Sequence, residues 1–147
     1  MTNMRQIFRM LLTMIFFVTV LSVSAQTYTI TVTYTGLRND LGKLYSSLYN
    51  SPEGYPKQAS AAFKLSSSQI VHGTCRIVYD NIPKGMYAIA CYHDENNNGK
   101  IDRNFFGVPT EGTGASNNAR GSWGPPKFKD AQFIVSGDIK ETIQIFY

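Results

Sequence analysis

The chain has 147 residues, with 14 Lys and Arg against 10 Asp and Glu, for a formal charge of +4. Two of those positive charges, Arg5 and Arg9, fall in the first 25 residues, so the rest of the chain carries about half of the net charge. It contains no run of Lys or Arg, which argues against a nucleic acid or an anionic membrane as partner.

The N-terminus has the layout of a secretory signal peptide. Arg5 and Arg9 form a positive start, Met10 to Val23 an apolar stretch, and Val23-Ser24-Ala25 a small-residue cleavage site before Gln26. The competing reading is a membrane anchor. A span needs ~20 apolar residues, and this run is shorter and flanked by Arg9 and a polar strand. Residues 1–25 are therefore expected to be a signal peptide and 26–147 a single exported domain, periplasmic or extracellular, with no transmembrane span. A domain of that size buries ~65% of its unfolded surface without staples.

From Gln26 on, the pattern is that of strands. Thr27 to Thr35 alternates strictly, with Tyr28, Ile30, Val32 and Tyr34 on one face and threonines on the other. After the turn residues Asn39, Asp40 and Gly42, Lys43 to Asn50 is a second strand. A Pro/Gly-rich turn follows at Ser51 to Pro56, and Ala59, Ala61 and Ala62 favour a short helical turn. Lys64 to His72 and Thr74 to Tyr79 are two further strands. Asn81 to Gly85 is a turn, and Met86 to His93, the most apolar strand, belongs at the centre of a sheet. Residues 94–130 are rich in Asn, Gly and Pro and read as one long ordered loop region. Ala131 to Val135 and Ile139 to Tyr147 complete seven strands. The expected fold is an all-β, seven-stranded antiparallel β-sandwich, transthyretin-like or immunoglobulin-like. An outer-membrane barrel lacks support, because lipid-facing alternation over eight long strands is missing.

Cys75 and Cys91 form an even pair in a chain read as exported, which suggests a disulfide. A hairpin placing Tyr79 opposite Tyr87 also places Cys75 opposite Cys91, and with the two strands in different sheets the bond could still form across the core. Two buried free thiols are the alternative.

The sharpest chemical motif is HDENNNGKID, His93 to Asp102. Asp94, Asn96 and Asn98 fall at alternate positions before Gly99, the opening of an EF-hand-type calcium loop. Calcium takes six to eight oxygens at ~2.3–2.6 Å, and alternate oxygen-bearing side chains converge on one point as the chain wraps around it. Gly99 allows the carbonyl of Lys100 to turn inward, and Asp102 stands at the ninth position. The twelfth, normally a bidentate carboxylate, is Phe105, with Glu95 or Glu111 as candidate replacements. Calcium is the expected cofactor, at the weak affinity of extracellular modules, ~10⁻⁴–10⁻³ M. The same residues also suit a plain turn in which Asp and Asn bond their own backbone.

A second feature lies between Asn104 and Lys129. Asn117, Asn118 and Arg120 precede Trp123, the chain's one tryptophan, and together they suit a platform for a sugar or peptide. The alternative is that these side chains and the Phe residues pin the loop to the sandwich. The expected partner is an extracytoplasmic ligand, protein or glycan.

Nothing in the sequence spells out catalysis. There are two histidines, His72 and His93, and no G-x-S-x-G or comparable nucleophile motif. A zinc site lacks enough close soft donors. Asp94, Asp102 and Glu111 are the carboxylates available to a hydrolase, but their spacing does not require one. The chain is thus read as a non-enzymatic binding domain. An envelope structural or assembly module is the alternative, and a carboxylate-based hydrolase a more distant one.

Several stretches in order resemble the bacterial domain of unknown function 2141. These are GLRNDLGK from Gly36, LYNSPEGYP from Leu48, NIPKGMYAIA from Asn81, HDENNNGKID, and GASNNARGSWGPPKF from Gly114. The resemblance spans residues 28–147 and implies an exported bacterial β-sandwich, with no catalytic residues to transfer. The NIPKGMY turn is also similar to the L-P-P-G-x-Y corner of transthyretin-like modules, where the tyrosine, here Tyr87, braces the turn.

Overall fold

The structure, a computed structural model, describes residues 3–4 and 26–147. The expected signal segment lies outside the described residues apart from those two positions. Eight strands are found: β1 (Thr27–Thr35), β2 (Lys43–Tyr49), β3 (Lys64–Ser68), β4 (Cys75–Pro83), β5 (Gly85–Asp94), β6 (Thr113–Ala115), β7 (Phe133–Val135) and β8 (Ile139–Gln144). Within residues 26–147, helix is limited to 3-10 turns at Ala59–Ala61 and Ser116–Asn118 and one α turn, α1 (Phe128–Ala131). No described helix is long and apolar enough to cross a membrane.

The strands form two sheets. One runs β4-β1-β8, with β1 antiparallel to β4 and parallel to β8. The other runs β3-β2-β5-β6, and β7 shares the β6 edge of β5 at its opposite end. The apolar alternation decides the faces. Ile30, Val32 and Tyr34 of β1, Ile77 and Tyr79 of β4, and Ile143 of β8 meet Leu44, Leu48, Ile89 and Cys91 of the second sheet in one buried cluster. Hydroxyls join the sheets inside it: Ser46 of β2 lies 2.5 Å from the Tyr34 oxygen and accepts from Tyr79 at 2.7 Å. Strand β5 is central, as its apolar sequence predicts, and is buried on both faces. Its outer Ala88 is covered by Ala115 and Ala131, with Tyr55 and Phe128 packed against them.

Several expectations need correction. Among the described residues the strand count is eight, because the long loop region contains β6. This strand reads TGA and shows no apolar alternation. A Cβ on its Gly114 would sit 2.9 Å from Ile143 and 3.0 Å from the Cys91 sulfur, so the close approach to β5 calls for glycine. The segment 94–130 also holds a 3-10 turn and the start of α1, which takes Ala131 out of the strand expected to begin there. Strand β3 stops at Ser68, and the turn near 59–61 is 3-10.

The disulfide is absent: Cys75 and Cys91 are both buried free thiols. The hairpin register that would set them opposite each other does not form. β4 pairs with β1, and β5 with β2, so the Asn81–Gly85 turn passes the chain from one sheet to the other and makes no hairpin. Cys75 therefore faces Tyr34, and Cys91 faces Ser46 and Gly114. The turn itself is braced as the resemblance implied, with the Tyr87 hydroxyl donating to the Pro83 carbonyl at 3.0 Å.

Candidate metal centre and the 94–130 loops

The loop of interest leaves the C-terminal end of β5, where Asp94 pairs with Lys43 of β2. The 37–42 turn packs beneath it. Gly42 (φ +65°) has no room for a side chain, since a Cβ there would lie 1.7 Å from the Asp94 carbonyl oxygen. The chain is thus pressed against the root of the motif, and Asp94 is fully buried.

Four of the five expected metal-site residues are brought together. The Asp94 carboxylate accepts the backbone N–H of Asn98 at 3.1 Å and of Gly99 at 2.8 Å. Asn96 and Asn98 each accept a backbone N–H two residues on, at 3.1 and 3.0 Å, the Asx turns that wrap the loop. Their amide nitrogens donate to opposite oxygens of Asp102, at 2.6 and 2.9 Å. Lys100 enters these contacts through its backbone N–H. Phe105, at the twelfth position, is almost wholly exposed and reaches none of them.

Glu111, two residues before β6, closes the group. It is buried, and its two oxygens accept the N–H groups of Glu95 at 2.8 Å and Asp102 at 3.0 Å. Asp94, Asp102 and Glu111 are all bound by neutral N–H donors. The described residues hold one ion pair, Arg38 with Glu95, which adds a second bond from Nε at 2.9 Å. That contact, helped by Asn39, holds the Glu95 carboxyl below the usual range. His93 beneath is fully buried and structural. Nδ1 lies 2.6 Å from the Tyr147 hydroxyl and Nε2 2.7 Å from the Leu41 carbonyl. Spacing gave no signal for Arg38 or Tyr147, which join the site from distant positions in the chain.

No group of three or more His, Cys, Asp or Glu side chains placed to hold a metal ion is found among the described residues. The donor set here is mixed, two aspartates and two asparagines with Glu111 behind them. All are hard oxygen ligands suited to calcium.

Beyond Asp102 the chain makes a tight hairpin. Thr110 N–H donates to the Asp102 carbonyl, and the Asn104 side chain accepts from Phe106 and Val108, all at 3.0 Å. At its tip Phe105 and Phe106 stand exposed, edge to face at 5.5 Å.

The expected ligand residues are split. Asn117 donates to the Gln132 carbonyl at 2.9 Å, and Asn118 accepts the Gln144 N–H at 2.8 Å. Both tie the loop to the sheets. The Arg120 guanidinium lies over the Phe146 ring at 3.3 Å. Trp123 is fully exposed. Arg120 and Trp123 line one depression of about 510 Å³, with Lys127 and Lys129 on its wall. The two lysines were not singled out by sequence, because separated by Phe128 they form no basic run.

A family model described as an uncharacterized protein conserved in bacteria (DUF2141) matches residues 30–144. The chain belongs to that family. The match runs from β1 to the end of β8, so it takes in both sheets and the Asp94 loop. The DUF2141 description assigns no activity. No curated protein and no solved structure matches the chain.

Proposed function

We propose that this DUF2141 chain is an exported, non-enzymatic β-sandwich domain of transthyretin-like or immunoglobulin-like type. In this reading its Asp94–Asp102 loop binds calcium, and its 94–130 segment serves as a binding face for an extracytoplasmic ligand. One observation carries the calcium reading: Asp94 and Glu111 are buried carboxylates adjoining Asp102, and none of the three has a cationic side-chain partner among the described residues. Backbone N–H groups satisfy their oxygens without supplying the charge that burying carboxylates calls for. A divalent cation supplies it. The Asn96 and Asn98 amides would turn to present oxygen in place of nitrogen, and Asp102 would exchange two N–H donors for the metal.

The non-catalytic reading is supported by where the carboxylates go. Both Glu111 oxygens are occupied by backbone, and Asp94 is covered by the chain above it. A structural module is the second reading, favoured by the inward bonds of Asn117 and Asn118.

Calorimetry with calcium and thermal melts in calcium and in EDTA test the first reading. The expected result is saturable heat in the range ~10⁻⁴–10⁻³ M and a higher melting temperature in calcium. No heat and no shift at millimolar calcium remove it. Among variants, Asp102→Asn is expected to abolish the heat.

A further inference from the structure

The loop from Arg120 to Lys129 is anchored at both ends, yet it leaves its largest side chain unpacked. On one side Arg120 covers Phe146, and on the other Phe128 packs edge-on against Tyr55 at 5.6 Å. Between them the chain folds back sharply: a Cβ on Gly121 would stand 2.3 Å from the Gly124 carbonyl oxygen. Trp123 is carried on this reversal, fully exposed. A solvent-facing tryptophan on a braced loop forgoes a large burial energy and leaves a flat aromatic face free to stack on a ligand.

The surroundings of Trp123 select the ligand. Its depression is lined by Arg120, Lys127 and Lys129 against one acid, Asp130. None of these cations is in an ion pair with a described residue. We infer that the Trp123 depression is a binding site for an acidic polysaccharide, with a sugar ring stacked on Trp123 and its carboxylates met by Arg120, Lys127 and Lys129. This rests on the proposed role of the 94–130 segment as a binding face and is independent of calcium. An aromatic face offers a flat apolar surface to a sugar's C–H groups, and guanidinium and ammonium groups give charge-assisted hydrogen bonds to carboxylates. A single-stranded nucleic acid calls for several stacking aromatics along a longer basic track, and one tryptophan with three cations falls short of that. A bilayer calls for a broad apolar tip, whereas Trp123 is a single apolar side chain flanked by Arg120, Lys127 and Lys129.

Trp123 is the sole tryptophan, so its fluorescence reports on this site alone. The full chain from Gln26 on is titrated with polygalacturonate, neutral dextran, phosphatidylglycerol vesicles and an oligothymidylate. Polygalacturonate is expected to move the emission to shorter wavelength, and on the order of 0.5 M salt to reverse the change. Dextran, vesicles and oligonucleotide are expected to leave it unmoved. The double variant Lys127→Gln/Lys129→Gln, altered only at exposed positions, is expected to melt as the parent does and bind at least about tenfold more weakly. Calorimetry on Trp123→Ala is expected to show the heat of binding lost. The inference is overturned by no response to polygalacturonate, by an equal response to dextran, or by a response to vesicles or oligonucleotide alone. Calcium calorimetry on the same samples separates the two claims: calcium heat without polysaccharide binding overturns this inference only, and the reverse removes the calcium reading only.

Discussion

The carboxylate of Glu111 accepts the backbone N–H of Asp102 at 3.0 Å, joining the rim of β6 to the end of the Asx-rich loop. Its other oxygen takes the N–H of Glu95 at 2.8 Å, so one buried side chain clamps both ends of the loop. Glu111→Gln keeps the size but replaces one acceptor oxygen with an NH2 group facing an N–H. One buried hydrogen bond is lost and two donors are opposed. The expected cost is about 1–3 kcal/mol in urea unfolding, together with weakened calcium binding. A variant as stable as the parent would show that the clamp does not hold the loop.

Two glycines with similar backbone angles separate strain from crowding. Gly42 has φ +65° and Gly99 φ +76°, so alanine at either position bears the left-handed penalty of about 1–2 kcal/mol. At Gly99 a Cβ meets nothing, and that penalty is the whole expected effect of Gly99→Ala. At Gly42 the Cβ would lie 1.7 Å from the Asp94 carbonyl oxygen, so the 37–42 turn has to move away from β5. Gly42→Ala is expected to cost about 3 kcal/mol or more, counting overpacking as well. Chemical denaturation of both variants measures the difference, and equal losses would contradict the close packing at Asp94.

These residues also show how far the sequence reaches. Alternation in Thr27–Thr35 and the apolar run Met86–His93 made β1 and β5 legible, because a period of two reports which face is buried. It does not report which strand lies alongside, so the NIPKGMY turn was open to a hairpin or a change of sheet, and the fold shows it to be a crossing between sheets. Strand β6 escaped notice because Gly114 is there for its lack of a side chain. At the candidate site the Asp94–Asp102 spacing was legible as a local pattern. The contacts of Arg38 with Glu95 and of Tyr147 with His93 join residues more than fifty positions apart, which only the fold brings together.

Cys75 and Cys91 sit in the core as reduced thiols on different sheets. Burial pushes the Cys75 thiol up to about 11 and raises Cys91 further, and a thiol without thiolate character is a poor nucleophile. A thiol reagent is expected to find two groups in guanidinium and almost none in the native protein. The melting temperature is expected to be the same with and without reductant. A drop on reduction, or a mass two hydrogens short, would instead place a bond between them.

The ion pair of Arg38 with Glu95 gives the fold a defined acid response. Hydrogen bonding from Arg38 lowers the Glu95 carboxyl, and the backbone N–H groups of Gly73 and His72, both at 2.8 Å, lower that of Asp40. For a carboxylate lowered on folding, the added stability is complete above the unfolded value, ~4.3 for Glu and ~3.9 for Asp. It is lost as pH falls through the lower folded value, because the unfolded chain takes up the proton first. Arg38 is raised by the same contact, and its contribution is lost only at alkaline pH far above the working range. Glu95→Gln is therefore expected to melt below the parent near pH 7, by an amount matching about 1 kcal/mol for a pair whose Arg38 is half exposed. The two melting curves are expected to draw together as the pH falls below ~4.3 and through the lower folded value of Glu95, where the parent loses the charge as well. Melts across this range in EDTA, which keeps metal out of the comparison, measure the gap. A constant offset at every pH would mean that Glu95 acts through packing, and a gap insensitive to salt would mean that the pair is shielded from solvent.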